Sequence, residues 1–502
     1  MDPIFELRID PAAKGARNAT AGLYHQLKAA IADGRLRGGA RMPGTRKAEA
    51  FFGISRNTAA EVYERLLREG YLVARRGSGT YVTDAVPLTT GPAEEVPADI
   101  PDPALPDARL NAFWLRPETT AAMYYWQDNS PANACPGGPV ADLRPALVDL
   151  HRFPYPVFRK VLVKQLRDLE KRPPELKSPQ GNQGNYVLRD AICRHIALTR
   201  AVPCQAGDIV VTSGAQQAFD LLARTLVTPG KTVVAVEDPG YPAMRVPFAA
   251  AGAKLVPVRV DDEGLVVDDL PLDTGVICVT PSHQFPLGTM MSARRRQALV
   301  AFARRVGAVI IEDDYDGEFR YDGSPLTALR TAGDADVVFY VGTFSKCMLP
   351  SLRLGFVVAP SWALKAMIVA KNALDWHCST PLQKAVAGFI DDGHLDRHIR
   401  RMRTLYRQRR QLLLSSLRGE FTDWLEAIPS FYGVHVTGVA KPSVDIERVA
   451  GDLAQRGVKV HTLRRYSMEL PARSGVIFGF GTADLPEIRA GLGELHRVLS
   501  GG

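Results

Sequence analysis

A lysine placed just beyond a short apolar run is the first residue in this chain whose position needs a chemical reason. In Tyr340–Phe356 (YVGTFSKCMLPSLRLGF) the apolar pair Tyr340 and Val341 leads through Thr343 and Ser345 to Lys346. Arg353 follows, then a second apolar run. The pattern predicts a lysine at the exit of a buried strand. Desolvation disfavours its ammonium form, so a neutral amine becomes available to attack a carbonyl and form a Schiff base. The hydroxyls of Thr343 and Ser345 and the forked guanidinium of Arg353 suit a phosphate. A lysine nucleophile beside a phosphate grip is the combination that pyridoxal phosphate requires. Taken alone, Lys346 reads equally well as a solvated loop lysine, and four other constellations have to decide.

Thr212-Ser213-Gly214-Ala215-Gln216-Gln217 leaves a strand, turns on Gly214 and opens a helix, which makes an anion site at a helix N-terminus. Glu237-Asp238-Pro239-Gly240-Tyr241 puts an aromatic ring at a strand mouth, where it can stack on a flat cofactor. Thr280-Pro281-Ser282-His283-Gln284-Phe285-Pro286-Leu287-Gly288 clusters polar side chains at another strand exit; by itself it reads as a plain loop. Ile310-Ile311-Glu312-Asp313-Asp314-Tyr315-Asp316 ends an apolar strand in carboxylates. One of these acids can hold a pyridinium N–H⁺ and keep the ring an electron sink. Asp313, followed by Lys346 at the end of the next strand, favours that role over a solvated acidic surface.

The elements that must position these residues alternate. Ile209–Thr212 precedes a helical pattern over Ala215–Leu226, Thr232–Val236 precedes Tyr241–Ala251, and Gly275–Thr280 precedes Ala293–Val306. Ala308–Ile311 and Val337–Val341 follow. This rhythm predicts an α/β domain with a mostly parallel sheet covered on both faces. After Lys365 come long basic helices (LDRHIRRMRTLYRQRRQLL) and a final α+β segment with strands at Val458–Val460 and Val476–Phe480.

At 502 residues the chain is too long for one core. Its six cysteines (135, 193, 204, 278, 347 and 378) form no CxxC pair. This points away from a zinc site and from a disulfide framework, and towards a reducing cytoplasm; no metal is expected. No secretory signal is visible in MDPIFELRIDP, and no apolar run is long enough to span a bilayer. The net charge of +8 is uneven: residues 1–85 hold 14 Lys/Arg against 9 Asp/Glu. A small basic domain at one end suggests nucleic acid, although a solvated surface would show the same charge.

That stretch has its own pattern. Leu23, Leu27, Ala30 and Ile31 have helical spacing, closed by Gly34. After Met42-Pro43-Gly44, Thr45 is expected to cap a short helix through Phe52, and Ser55 to cap the next, with Val62, Leu66 and Leu67 facing inward. Helix, turn, helix places Arg56, Asn57 and Thr58 in the first turn of a recognition helix. YLVARRGSGTYV then reads as a two-stranded wing whose tip, Arg75-Arg76-Gly77-Ser78-Gly79, can lie along phosphates. PLTTGPAEEVPADIPDPALPDARL, rich in Pro, Ala and acids, reads as an extended tether.

The first 85 residues resemble the GntR-type winged helix-turn-helix. The matching residues are Leu23-Tyr24, Gly34-Arg35-Leu36, Pro43, Arg46, Ser55-Arg56-Asn57-Thr58, Tyr63, Glu69-Gly70-Tyr71-Leu72 and Gly77-Ser78-Gly79-Thr80-Tyr81-Val82. The resemblance implies DNA contacts from Arg46, Ser55, Arg56, Asn57 and Thr58, with Arg75, Arg76 and Gly77 in the wing. Gly44-Thr45 and Lys47-Ala48-Glu49 depart from the usual pattern. TSGAQQAFDL, EDPGYP, TPSHQFPLG, IEDDYDGEFRY, YVGTFSK, PSLRLGF and HLDRHIRRMRTLYRQRR resemble the fold-type-I aminotransferases, and the whole chain resembles the MocR subfamily of GntR regulators.

By that resemblance Lys346 forms the Schiff base with pyridoxal phosphate and Asp313 pairs with its pyridinium nitrogen. Tyr241 stacks on the ring, and Tyr315 sits near its phenolic oxygen. Ser213, Gly214, Ala215, Thr343, Ser345 and Arg353 hold the phosphate. Phe285 stands where catalytic aminotransferases carry an asparagine, which leaves His283 or Gln284 as substitutes. Ser178-Pro179-Gln180-Gly181-Asn182-Gln183-Gly184 lacks the tyrosine often found before the glycine. No arginine immediately precedes Phe478-Gly479-Phe480. Arg464, Arg465 and Arg473 are nearby, and Arg473 is expected to take an effector's carboxylate.

The expected organisation is multidomain. A small α/β winged helix-turn-helix (1–85) and a Pro/Ala-rich linker (86–130) precede a large α/β PLP-dependent transferase fold of type I with a smaller C-terminal α+β subdomain (131–500). The implied function is a PLP-dependent DNA-binding transcriptional regulator that senses PLP or a small amine or amino acid. It would act as a head-to-tail homodimer on a double-stranded DNA operator, in the cytoplasm and away from membranes. The alternatives are an active PLP-dependent aminotransferase with an appended DNA-binding module, or a cofactor-free dimerisation scaffold. A transaminase half-reaction is compatible with the first reading.

Overall fold

Apolar residues at helical spacing near the N-terminus close a small core. The computed structural model describes residues 16–84, 109–123, 140–171, 182–321, 327–331, 333–469 and 473–501. The chain divides between Leu110 and Asn111 into two compact units. In the first, helices Ala16–Ala32, Thr45–Phe52 and Arg56–Arg68 precede an antiparallel hairpin, Leu72–Arg75 with Gly79–Val82. Leu23, Leu27, Ile31, Phe52, Val62, Tyr63, Leu66 and Val82 are buried together. Leu67, expected inside, is only half-buried; Tyr63 takes the inward position instead. Thr45 is the first helical residue rather than a cap: Gly44 occupies the cap position and makes no side-chain bond. Ser55 caps as expected, its hydroxyl accepting from the Thr58 N–H at 3.1 Å.

Part of the stretch read as a tether is described, at 109–123. There Ala112–Leu115 forms a 3₁₀ turn and Pro117–Met123 a helix, which belongs with the second unit. Pro117 supplies the preset φ that suits a first helical residue. Residues 86–108 and 124–130 of that stretch, Ser178–Gly181 and Cys135 lie outside the described residues.

The second unit is organised by an eight-stranded sheet. Its order is Ile209–Thr212, Gly355–Val358, Val338–Thr343, Val309–Asp314, Thr274–Val279, Val233–Asp238, Lys254–Asp261 and Gly264–Leu265. Five of these strands form a continuous parallel run from Val338–Thr343 to Lys254–Asp261. Gly355–Val358 is antiparallel to both its neighbours, so Ile209–Thr212 runs in the same direction as the parallel set. VVAVED, TGVICV and VFYVGT are buried almost throughout, as strands covered on both faces must be. Lys254–Asp261, in which Val256, Val258 and Val260 alternate with Pro257 and Arg259, and Gly355–Val358, the apolar run after Arg353, are further strands of this sheet. A smaller antiparallel sheet (Leu425–Ala427, His435–Ala440, Gly475–Gly479, His461–Thr462) follows the 26-residue helix His394–Gly419. No helix among the described residues is long and apolar enough to cross a membrane.

The strand ends are held by buried charge. Arg200, the last residue of helix Tyr186–Arg200, pairs with Asp314 at 2.6 Å, and the Tyr340 hydroxyl donates to the same carboxylate at 2.6 Å. Replacing Arg200 by Met leaves Asp314 buried without its counter-charge. The expected loss is about 3–5 kcal/mol, read as a lower denaturation midpoint, with part of it recovered in an Arg200→Met, Asp314→Asn double variant.

Candidate functional site

A parallel sheet delivers the C-terminal ends of its strands to one edge, where an open α/β sheet binds its ligands. Here that edge carries a cavity of about 840 Å³ lined by Ala215, Tyr241, Phe285, Asp313, Tyr315, Thr343, Ser345, Lys346 and Arg353, among others. Eight of these nine residues were named from the sequence as cofactor contacts; Phe285 was noted only as a departure.

Period-two alternation along Val309–Asp314 sorts three consecutive acids. Glu312 and Asp314 share one face: Glu312 accepts from the backbone of Leu329 and Arg330 at 2.9 and 3.1 Å, and Asp314 meets Arg200. Asp313 lies on the other face, towards the cavity. It is 4% exposed, and its Oδ1 has no hydrogen-bond partner. Burial pushes its pKa well above the ordinary carboxylate range, helped by Asp314, Asp316 and Glu237. Lys346 lies just past the adjacent strand, where Val341 pairs with Asp313 in register. Desolvation lowers its amine to about 8, against the opposite pull of Asp316 and Asp313. Its Nζ donates to the Ala146 carbonyl.

At the other end of the cavity the helix Ala215–Leu226 begins without any side-chain cap, so its first N–H groups remain available to an anion. Gly214 before it has φ +81°. A Cβ there would sit 3.0–3.2 Å from the Arg353 guanidinium, so only glycine allows that approach. Arg353 Nη2 donates to the Ser213 carbonyl at 3.0 Å, and Thr343 donates to Ser345 Oγ at 2.9 Å. Hydroxyls, uncapped amides and a guanidinium thus converge as a phosphate requires. An orphaned buried carboxylate and a low-pKa lysine stand where a protonated pyridine and its aldehyde would be. The residues fit pyridoxal phosphate.

His283 stands behind Tyr315. The Tyr315 hydroxyl lies 2.9 Å from His283 Nδ1, which is 3.0 Å from Asp316 Oδ2. His435 packs on His283 at 4.4 Å between ring centroids. His283, Asp316 and His435 are buried and could together offer metal ligands. Asp316 and the Tyr315 hydroxyl meet the same His283 nitrogen, and the hydroxyl also lies 3.2 Å from the His283 carbonyl, so these contacts hold the Tyr315 hydroxyl at the cavity wall. Gly433, at φ +75°, makes room for it: a Cβ there would lie 2.1 Å from the His283 ring. Gln284 is turned away, donating to the Pro239 and Phe285 carbonyls at 2.8 Å. Arg473 is not brought to the cavity; it pairs with Asp262 at 2.8 Å. Sequence reasoning gave no role to Arg200, Asp316, Glu237 or His435. Glu237, buried and pushed up to about 7, accepts from Thr280 and so ties two strand exits together. His435 lies in a distant strand with no local motif to single it out.

In the smaller unit Arg46, Arg56, Asn57, Arg75, Arg76 and Gly77 are exposed, and Thr58 is half-buried. Ser55 and Thr58 share a hydrogen bond at 2.9 Å, so Ser55 serves the helix cap. Arg75 stacks on Tyr81, 4.7 Å from the ring centroid, which stiffens the base of the wing. Gly77 turns the tip at φ +75°.

Residues 152–475 match the family described as aminotransferase class I and II, and residues 19–82 match the bacterial regulatory proteins of the gntR family. The protein therefore joins a gntR-type winged helix to an aminotransferase-class domain. It is 31% identical to MocR of Rhizobium meliloti over 479 residues, 95% of this chain and 93% of that protein. It is also 31% identical to the pyridoxine biosynthesis transcriptional regulator PdxR of Corynebacterium glutamicum over 478 residues, 95% of each. The larger unit shares its fold with the kynurenine aminotransferase of Pyrococcus horikoshii, with TM-score 0.66 and 24% identity over 72% of this chain and 90% of that one. The chain belongs to the MocR subfamily of GntR-type transcriptional regulators. It is a DNA-binding regulator whose aminotransferase-like domain binds pyridoxal phosphate.

Two outcomes follow from the site's electrostatics. Borohydride fixation of pyridoxal phosphate should be abolished in Lys346→Ala, and in the wild type its rate should rise with pH through about 8 rather than 10.5. Asp313→Asn should weaken cofactor binding yet stabilise the cofactor-free protein at pH 8. A carboxyl whose folded pKa is raised contributes its full stability below its ordinary pKa and loses it progressively as pH rises through the folded one. The gain, about 1–3 kcal/mol, should vanish near pH 4 in thermal denaturation.

Proposed function

We propose that the protein regulates transcription by sensing pyridoxal phosphate, or a small amine or amino acid that reaches it, at the Lys346 cavity. The observation that carries this reading is one chain holding both halves of a cofactor grip and an exposed recognition helix. The unpaired Asp313 and the desolvated Lys346 make the first half, and the uncapped helix at Gly214 with Arg353 makes the second. Neither the orphaned carboxylate nor the low-pKa amine stabilises a scaffold, and both favour a bound cofactor.

When bound, pyridoxal phosphate supplies an electrophilic carbonyl that exchanges one amine for another. The chain's own residues then do the sensing. Asp313 would hold the ring nitrogen, Tyr315 would present its hydroxyl near the ring's edge, and Tyr241 would cover one face. Arg353, Ser213, Gly214, Ala215, Thr343 and Ser345 keep the phosphate. An effector amine engaged there in place of Lys346 would leave the lysine in need of another partner in a dry cavity. The arrangement that accommodates it is thereby favoured, a population shift that the ligand's differential affinity drives. Arg473 would meet an effector's carboxylate only if it left Asp262, so an effector recognised mainly through its amine suits this cavity better.

The proposed domains are a winged helix over 1–85 and an aminotransferase-class domain that begins at Asn111, before the expected 131, which shortens the proposed linker to 86–110. We also propose a head-to-tail homodimer in the cytoplasm, acting on an operator of two half-sites. Arg56→Ala should weaken operator binding by about 1–3 kcal/mol and relax its sequence preference, whereas Arg76→Ala in the wing should weaken all sequences alike and lower the salt dependence. Fluorescence anisotropy on operator and scrambled duplexes checks both. Lys346→Ala should keep its DNA affinity but lose any response to added amine; a response that survives would refute sensing through this lysine.

A further inference from the structure

A second cavity, of about 1380 Å³, shares no lining residue with the first. Its walls come from the helices Pro117–Met123, Pro242–Ala250 and Ile446–Gln455 and from the turn that follows Val458–Lys459. Much of the lining is apolar, with Val246, Ala249, Leu255 and Ala454 among it. Arg245 reaches into this space. It is 9% exposed, its Nη1 has no hydrogen-bond partner, and it makes no ion pair among the described residues. Asp238 acts on it through space without pairing with it; the Asp238 carboxylate accepts from the backbone of Met468 and Glu469 at 2.8 and 3.2 Å. Burial pulls the Arg245 guanidinium down to about 10. Lys459 and Arg464 add positive charge to the lining, against the exposed Glu118 and Glu447.

A buried guanidinium without a counter-ion is costly, and arginine cannot escape the cost by releasing its proton near neutral pH. Leucine or methionine would fill the same volume more cheaply. An anion delivered from outside resolves the conflict, because a carboxylate or phosphate accepts two parallel bonds from the guanidinium fork. We propose that this cavity is a second ligand site, separate from the cofactor cavity, for an organic anion. Its oxyanion head would bind Arg245, and its aromatic or aliphatic body would lie along Val246, Ala249, Leu255 and Ala454. The helix Pro242–Ala250 is a wall of both cavities: Tyr241 at its cap and Ala243 face the cofactor, while Arg245 and Val246 face the second site. Nearby, the Gly240 N–H donates to the Tyr466 carbonyl at 3.1 Å, and the Tyr466 ring packs on Phe285 at 5.0 Å. Occupancy of the second site therefore bears on the wall of the first.

The test is calorimetric titration of the full-length protein, saturated with pyridoxal phosphate so that the cofactor's own phosphate grip is filled. The probes are phenyl phosphate, phenylacetate and the neutral 2-phenylethanol. At least one anion should bind at one site per chain, at least tenfold more tightly than the alcohol. Whichever anion binds more tightly identifies the head group as phosphate or carboxylate. Arg245→Met should weaken that binding at least tenfold with the cofactor absorbance unchanged, which certifies the fold. Ala454→Trp, which fills the cavity without touching the charge, should abolish it. Binding of neither anion, equal binding of the alcohol, or unchanged affinity in both variants would overturn the proposal.

Discussion

Two ionisable groups kept from water without being allowed to neutralise each other set the terms for the larger unit. Asp313 and Lys346 stand at the ends of adjacent parallel strands, in register through Val341. Each is desolvated enough to favour its uncharged form at the pH where an exposed counterpart would be ionised. Had the fold brought them into direct contact, the pair would have been an ordinary buried ion pair with no capacity left for a ligand. Holding them apart leaves an acceptor for a ring nitrogen and an amine for a carbonyl. The cost is borne by the sheet around them, whose strands are buried on both faces.

The neighbouring charges show how that separation is kept. Glu312 and Asp314 flank Asp313 in sequence, but strand pleat turns them to the opposite face, where backbone amides and Arg200 satisfy them. On the cavity side Asp316 is tied to His283, and through it to Tyr315. The acids in this run therefore have different environments, and among them Asp313 keeps an unpartnered oxygen. Arg245 is a parallel case on the far side of the helix Pro242–Ala250: a buried group whose partner is not supplied by the described residues. Groups of this kind lower stability in the empty protein and mark where a ligand contributes it.

Much of the site could be read along the chain, because strand exits in a parallel sheet gather at one edge whatever their order. Lys346, Asp313, Tyr241, Gly214 and Arg353 all lie within a few residues of a recognisable strand or turn. The winged helix was equally legible, since its core spacing, caps and glycines are local. The partners that arrive from remote segments were not. Arg200 ends a helix that precedes the first strand of the sheet, His435 belongs to the smaller sheet, and the Ala146 carbonyl precedes the whole α/β region. None carries a local signature of its role. Arg473 looked available by proximity in sequence and is instead paired with Asp262, because an exposed arginine takes the nearest acid that the surface offers.

By itself, the sequence determined the two-part organisation and the parallel α/β architecture, and it placed the residues proposed as nucleophile, ring-nitrogen partner and phosphate grip at strand exits. These follow from periodicity, turn chemistry and residue type, all of which act over a few residues. Tertiary structure alone decided which of three adjacent acids stays unpartnered, that His283 meets the Tyr315 hydroxyl, and that Gly433 leaves space for that contact. It alone also revealed a second cavity with an unmatched Arg245 at its wall. The reason is physical: burial, desolvation and the satisfaction of polar atoms depend on what arrives from elsewhere in the chain, and these set the charge state of each group.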